Sequence, residues 1–126
     1  MATLKVSNAP GANTVNLSAA QTGNGASTNV ADRGFNLGPV LLKLTTTVGS
    51  TPTVTVAIEG SADGTNFFNI AYADSATPET VAVANLVITT ATTSYKILRP
   101  NHPWQYLRLT YSANTNVTTT ADVWSN

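Results

Sequence analysis

This 126-residue chain predicts an all-β fold, a single-domain antiparallel β-sandwich of about eight strands with a jelly-roll-like arrangement. Apolar and polar residues alternate along successive short segments. The clearest is 53–59, where Val54, Val56 and Ile58 face one way and Thr53, Thr55 and Glu59 the other. Side chains alternate across a strand, so this is a sheet with one dry face and one wet face. Clusters of Gly, Pro, Asn and Asp punctuate the segments at the spacing of short strands. No segment sustains an apolar stripe at helical spacing over three turns.

Residues 3–7 read as a short first strand. The stretch 8–38 is rich in Gly, Ala, Asn, Ser and Thr, with turn signals at Asn8-Ala9-Pro10-Gly11 and Gly23-Asn24-Gly25. Its few large apolar residues are Val15, Leu17, Val30, Phe35 and Leu37. Two readings stand: weak edge strands joined by loops, or an arm that orders only against a neighbouring subunit. The expected organisation is an N-terminal strand with arm or loops over 1–38 and a sandwich body over 39–126, one domain overall.

From Pro39 the alternation is strong. Val40, Leu42, Leu44 and Val48 share a face, opposite Leu41, Lys43, Thr45 and Thr47. Gly49-Ser50-Thr51-Pro52 is expected to turn the chain into the 53–59 strand, and Asp63-Gly64 to turn it again into a strand over 67–72. Residues 73–79 form a polar loop. The segment 80–90 alternates through Val81 and Val83, then through Leu86 and Ile88, slipping phase at Asn85 as a bulge or tight turn requires. Over 92–99, Tyr95 and Ile97 oppose Lys96 and Leu98. Pro100 and Pro103 stop that strand, because proline is excluded from central strands. The last strands are 104–112 and 117–124, joined at 113–116.

Six basic and six acidic residues cancel, and charged residues make up 10% of the chain, well under the usual quarter. Nucleic-acid binders carry a basic surplus, so no nucleic-acid partner is expected. No polybasic patch or span-length apolar run points to a membrane. The start of the chain lacks a signal-peptide pattern, and synthesis in a cytoplasm is expected. Without cysteine there is no disulfide, thiolate metal site or thiol nucleophile. Thr at 22 of the 126 positions replaces charge as the solubilising residue and suits a pleated surface. A surface poor in charge has the composition of one that a partner covers.

Candidate chemistry is sparse. His102 sits between Asn101 and Pro103 in a turn, a poor setting for a catalytic imidazole. Alone it cannot build a zinc site. Asp32, Glu59, Asp63, Asp74, Glu79 and Asp122 are scattered without the motif of a carboxylate pair. Asp63-Gly64-Thr65-Asn66 lacks the ligand periodicity of a calcium loop and reads as a hairpin turn. The glycines build no phosphate loop. Asn16-Leu17-Ser18 and Asn116-Val117-Thr118 match the glycosylation sequon at the frequency this composition produces by chance. No catalytic residue, metal or cofactor is expected.

The last strands offer a surface. Trp104, Tyr106 and Arg108 alternate against Leu107, Leu109 and Tyr111, and the apolar set is the expected core. Trp, Tyr and Arg dominate interface hot spots; the same residues suit stacking on sugars. Alternatively Trp104 closes the end of the sandwich, and Trp124 carries the same ambiguity. The partner-interface candidates are Leu4, Val6, Phe35, Trp104, Tyr106, Arg108 and Trp124.

The segments Ile58-Glu59-Gly60-Ser61-Ala62-Asp63-Gly64-Thr65-Asn66-Phe67-Phe68 and His102-Pro103-Trp104-Gln105-Tyr106-Leu107-Arg108-Leu109 resemble small virion proteins of tailed bacteriophages, in particular the β-sandwich decoration or cement proteins of phage heads. The resemblance covers roughly residues 39–124 and leaves out the Gly-rich segment before Pro39. It implies a jelly-roll protein on the outer capsid surface that bridges neighbouring major capsid subunits. Its partners would be the major capsid protein and itself, as a homodimer or homotrimer, with no cofactor and no turnover. The alternative is a carbohydrate- or receptor-binding β-sandwich of a phage tail or surface lectin. A β-sandwich hydrolase has the least support.

Overall fold

A computed structural model describes residues 2–7, 13–34, 38–98 and 103–125. Phe35 and His102 lie outside the described residues. The strands are β1 (Ala2–Lys5), β2 (Thr14–Gln21), β3 (Gly25–Ala26), β4 (Asn29–Asp32), β5 (Val40–Ser61), β6 (Phe68–Asn69), β7 (Tyr72–Asp74), β8 (Val81–Ala82), β9 (Leu86–Ile88), β10 (Thr92–Leu98) and β11 (Tyr106–Ser125). No helix occurs among the described residues.

The fold is all-β, as expected, but the strands form one mixed sheet of eleven rather than an antiparallel set of about eight. The main path runs β1-β4-β11-β5-β10-β7-β8, with β2 and β3 added to β11, and β6 and β9 added to β5. Only β1 with β4 is parallel among these pairs. The stretch before Pro39 supplies β2, β3 and β4 to the sheet of its own chain. The expected 67–72 strand divides at the buried Ile70 into β6 and β7, and the 80–90 strand divides around Asn85 into β8 and β9.

Two expected reversals are instead corners. Residues 40–48 of β5 pair with 117–125 of β11, and residues 53–61 pair with 106–115. A reversal at 49–52 would have paired the halves of β5 with each other. The turn-forming residues bend both strands together. Thr51, Ala113 and Asn116 hold left-handed φ angles of 44°, 50° and 54°. Register shifts follow Ser112 and Thr115 on β11, and extra residues on one strand bend the pair. Asn116 Nδ2 donates to the carbonyl of Ser50 at 2.7 Å, and the backbone N–H of Val117 donates to Asn114 Oδ1 at 3.2 Å. Drawn out straight, the 22 residues of β5 would span roughly 70 Å. Yet Val40 and Ile58 line one small cavity, so the ribbon doubles back and the sheet closes on itself.

The corners preserve the pleat. Val40, Leu42 and Leu44 before the bend and Val54, Val56 and Ile58 after it all point inward. On β11, Leu107, Leu109 and Tyr111 point inward, as do Val117, Ala121 and Val123. They meet Val15 and Leu17 of β2, and Val6, in a single core. Val6 is therefore a core residue, not the surface anchor expected from sequence; it follows β1 and donates its backbone N–H to Asp32 O at 2.8 Å. Across the core, the Tyr111 hydroxyl lies 2.6 Å from Ser18 Oγ. Burial pushes the Tyr111 phenol up to about 12.

Arg33 closes the doubled ribbon. Its side chain is 1% exposed. Nε donates to Ser125 Oγ at 3.1 Å, Nη1 to the carbonyl of Trp104 at 3.0 Å, and Nη2 to the carbonyl of Gly38 at 2.8 Å. Its backbone N–H reaches Gln105 O at 2.8 Å. Ser125 ends β11 and Trp104 lies just before its start, so one guanidinium joins both ends of the folded strand. Burial draws its pKa below the ordinary value. Lys96 also points inward; its stem lies along the core and its ammonium pairs with Asp74 at the sheet edge.

Arg33→Lys keeps the charge but loses the planar fork that reaches three acceptors. The variant is expected to lose roughly 3 kcal/mol of stability, read as a lower midpoint in urea unfolding followed by far-ultraviolet circular dichroism.

Candidate interaction surfaces

Tyr106 and Arg108 face outward, opposite Leu107, Leu109 and Tyr111. The chain's own turn stands on them. Asp63 Oδ1 accepts the backbone N–H groups of Asn66 and Thr65, each at 2.8 Å, and the Ser61 hydroxyl at 2.9 Å. Oδ2 accepts Asn66 Nδ2 at 2.8 Å. These bonds, that of the Asn66 backbone first, hold the Asp63 carboxyl well below the usual range. Both oxygens serve the loop's own donors, which is a turn-building device rather than a cation cradle. Gly64, at φ 78°, lies over the Tyr106 ring, where an added Cβ would come within 3.4 Å. The Arg108 guanidinium sits 3.9 Å from the centre of the Phe67 ring. Its Nε donates to Glu59 Oε1 at 2.8 Å, and the Thr110 hydroxyl donates to the same oxygen at 2.6 Å. This outer face is thus roofed and internally paired.

Trp104 is half-buried against the core. It occupies the space that a side chain at residue 60 would need: a Cβ on Gly60 would stand 2.6 Å from Trp104 Cγ. Its ring lies 5.9 Å from that of Phe68, tilted by 38°. Trp104 therefore closes the end of the folded sheet. The other carboxylates are also engaged. Asp32 accepts Gly34 N–H and Gln105 Nε2, Asp74 accepts Lys96 and the Ala76 N–H, and Asp122 accepts Asn16 Nδ2. Among the described residues, no three of His, Asp or Glu gather as metal ligands.

The opposite outer face is open over β2, β11, β5 and β10 and covered at Ala73 of β7. It is built on the N-terminal half of β5, the C-terminal half of β11, and β2, β10, β7 and β8. Cross-strand register aligns Trp124, Leu41, Ile97, Ala73 and Val81 in one row. The next row is Asn16, Asp122, Lys43 and Tyr95; beyond it stand Thr120, Thr45 and Thr93, then Thr118 and Thr47. Leu41, Lys43, Ile97, Asp122 and Trp124 keep part of their surface in solvent, and Tyr95 and Val81 are exposed. Of the sequence-stated candidates, Trp124 lies on this face. Leu4 is exposed on β1, at one end of the sheet.

A second apolar surface lies along the side of β5 where β6 and β9 pair. Here Phe68, Val83 and Val87 are 57%, 59% and 66% exposed. Asn69 Nδ2 donates to Asn85 Oδ1 at 3.2 Å, tying β6 to the segment before β9. Leu41, Lys43, Ile97, Phe68 and Val87 were not singled out from sequence. One signal was present: Val40-Leu41-Leu42 and Ile97-Leu98 are apolar on both faces of their strands, the pattern of a sheet covered on both sides.

Gly60→Ala places a methyl inside the Trp104 ring and is expected to cost about 1–3 kcal/mol, seen as a lower thermal midpoint with a shifted tryptophan emission. The second expectation concerns pH. Asp63 and Asp74 both titrate below their ordinary values, Asp74 chiefly through its hydrogen bond from Lys96. Their stabilisation is complete above about pH 4 and is lost as pH falls toward the folded values. Thermal midpoints should fall on acidification through that window, and Asp63→Asn should flatten the decline.

No protein-family model matches the chain, and no curated protein matches its sequence. Among solved structures, the crystal structure of SPBc2 prophage-derived protein YomS is similar, with a TM-score of 0.66 over 90% of this chain and 91% of that one, at 9% identity. At that identity the likeness establishes a shared fold: the doubled all-β sheet described above is also the architecture of a prophage-derived protein.

Proposed function

We propose that the chain is a non-enzymatic structural protein of a bacteriophage particle, which decorates and cements the outer capsid surface by bridging neighbouring major capsid subunits. The observation that carries this reading is the pair of uncovered apolar surfaces on one small domain: the open face around Trp124 and Leu41, and the β6–β9 edge with Phe68, Val83 and Val87. A bridge built from paired copies needs one contact for its own mate and one for a capsid subunit, and both surfaces are poor in charge, as interface cores are. The prophage origin of the similar solved structure supports the setting.

The mechanism is mechanical. A protein that binds only the assembled shell stabilises that shell by linkage. Repetition over a lattice turns weak contacts into strong retention. No cofactor enters, and the chain would be made in the host cytoplasm and act on the virion surface. The carbohydrate-binding alternative draws on Trp104, Tyr106 and Arg108, which here respectively cap the core, lie under Gly64 and pair with Glu59.

Purified protein mixed with expanded phage heads is expected to cosediment with them and to raise the temperature at which they release DNA. Phe68→Ser with Val87→Ser should weaken retention at least about tenfold, the loss of two apolar contacts. Heads that leave the protein in the supernatant would overturn the reading. Glycan binding abolished by Trp104→Ala would favour the alternative.

A further inference from the structure

We infer that the open face of the β5–β11 ribbon is the contact between two copies of this chain, packed face to face about a two-fold axis along the midline between β5 and β11. This specifies the self-association within the role proposed above and rests on it only for its setting. The four strands β2, β11, β5 and β10 lie in that order, two on each side of the midline. Rotation about such an in-plane axis lays β5 of one copy over β11 of the other, and β10 over β2.

The side chains match under that operation. Trp124 of each copy falls over Leu41 of its mate, and Ile97 over Thr14. Lys43 falls over Asp122, twice by symmetry, and Tyr95 over Asn16. Thr45 meets Thr120, and Thr47 meets Thr118. Within one chain Lys43 has no ion-pair partner among the described residues, and Asp122 takes only Asn16. Lys43 and Asp122 are direct cross-strand neighbours that form no ion pair with each other, and in the paired arrangement each also faces the opposite charge of the second copy. Opposite charges steer and fix register across an interface, while like charges disfavour it. A Trp seated on an aliphatic side chain is the usual hot-spot anchor.

The size suits a weak, reversible pairing. The thirteen outward positions of these rows cover roughly 400 Å² of sheet per copy at ordinary strand spacing and rise. The pair thus buries about 800 Å², at the low end for a specific interface. Sheets stack about 10 Å apart with strands within about 30° of parallel, which suits a face of Thr, Leu, Ile and Trp.

Sedimentation velocity of the full chain tests the pairing. The wild type is expected to run as a dimer. Lys43→Asp and Asp122→Lys, each alone, should weaken the dimer at least about tenfold by setting like charges face to face, with unchanged circular dichroism. An equimolar mixture of the two variants should recover the dimer, because each restores the other's pair; this recovery also shows that both are folded. A wild type that sediments as a monomer through the micromolar range would overturn the inference, as would single reversals that leave the dimer intact. A monomer that cosediments with heads overturns the pairing alone, whereas a dimer that does not cosediment overturns the head-binding role alone.

Discussion

The buried guanidinium of Arg33 is where the fold's main constraint is met. A sheet whose two longest strands fold back on themselves must bring the far ends of those strands together. Those ends carry backbone groups that no ladder satisfies. Arg33 donates to the carbonyls of Trp104 and Gly38 and to the hydroxyl of Ser125, so one planar fork serves three acceptors that the doubling brings together. An unpaired buried carbonyl costs more than an average hydrogen bond contributes. At the other end of the ribbon the constraint is conformational. Thr51, Ala113 and Asn116 occupy the left-handed region, which disfavours β-branched residues most strongly. The strain at the corner is held by the paired strands on either side, and Arg33 keeps those strands in place.

That division explains what was legible in the sequence. Alternation is a local property of a strand, so the inward set Val54, Val56, Ile58 and the inward set Leu107, Leu109, Tyr111 could be read directly, and the structure places both in the core. The Asp63-Gly64 turn was legible too, because its chemistry lies within four residues. Corners were not. Gly49 and Pro52 mark a change of direction, but whether the chain reverses or bends depends on which strand pairs alongside, and that partner is more than fifty residues away in sequence. Arg33 and Lys96 were illegible for a related reason. A charged residue is buried only when distant groups converge to receive it, and no local pattern announces Ser125 or Asp74. Of the interface candidates, Val6 went to the core because the chain after β1 continues alongside β4, its N–H bonded to Asp32 O, while Trp104 went to the sheet's end because Gly60 leaves room for its ring.

The doubled ribbon also gives the molecule two unlike outer faces. On one, the 61–67 turn folds back over Tyr106 and places Phe67 on Arg108. The most interface-like residues of that strand thereby become part of the fold. On the other, β2, β11, β5 and β10 are not roofed by that turn, and the outward positions are Thr, Asn, Leu, Ile, Tyr and Trp with one neighbouring Lys and Asp. The same backbone, the same pleat and the same inward core thus yield one satisfied surface and one unsatisfied one. The difference lies in loop length: β5 leads into a turn long enough to return over its own sheet, whereas the 113–116 bend stays within β11 and covers nothing.

A face of this kind has a stability consequence that bears on function. Thr suits the pleated surface and keeps an apolar row soluble without the charges that would bar a partner. An outward Trp124 beside Leu41 would be an aggregation hazard in a face with free hydrogen-bonding edges, but here the row runs across the middle of the sheet, where β5 is already paired on both sides. Association must then proceed through side chains, face to face, and not by adding strands. Face-to-face contact depends on alignment, because sliding one sheet over the other sets each outward side chain against a different partner. A pair of opposite charges set among Thr and apolar residues fixes that alignment at little cost in affinity, which is why a single Lys43 and a single Asp122 are enough to make a nearly neutral face specific.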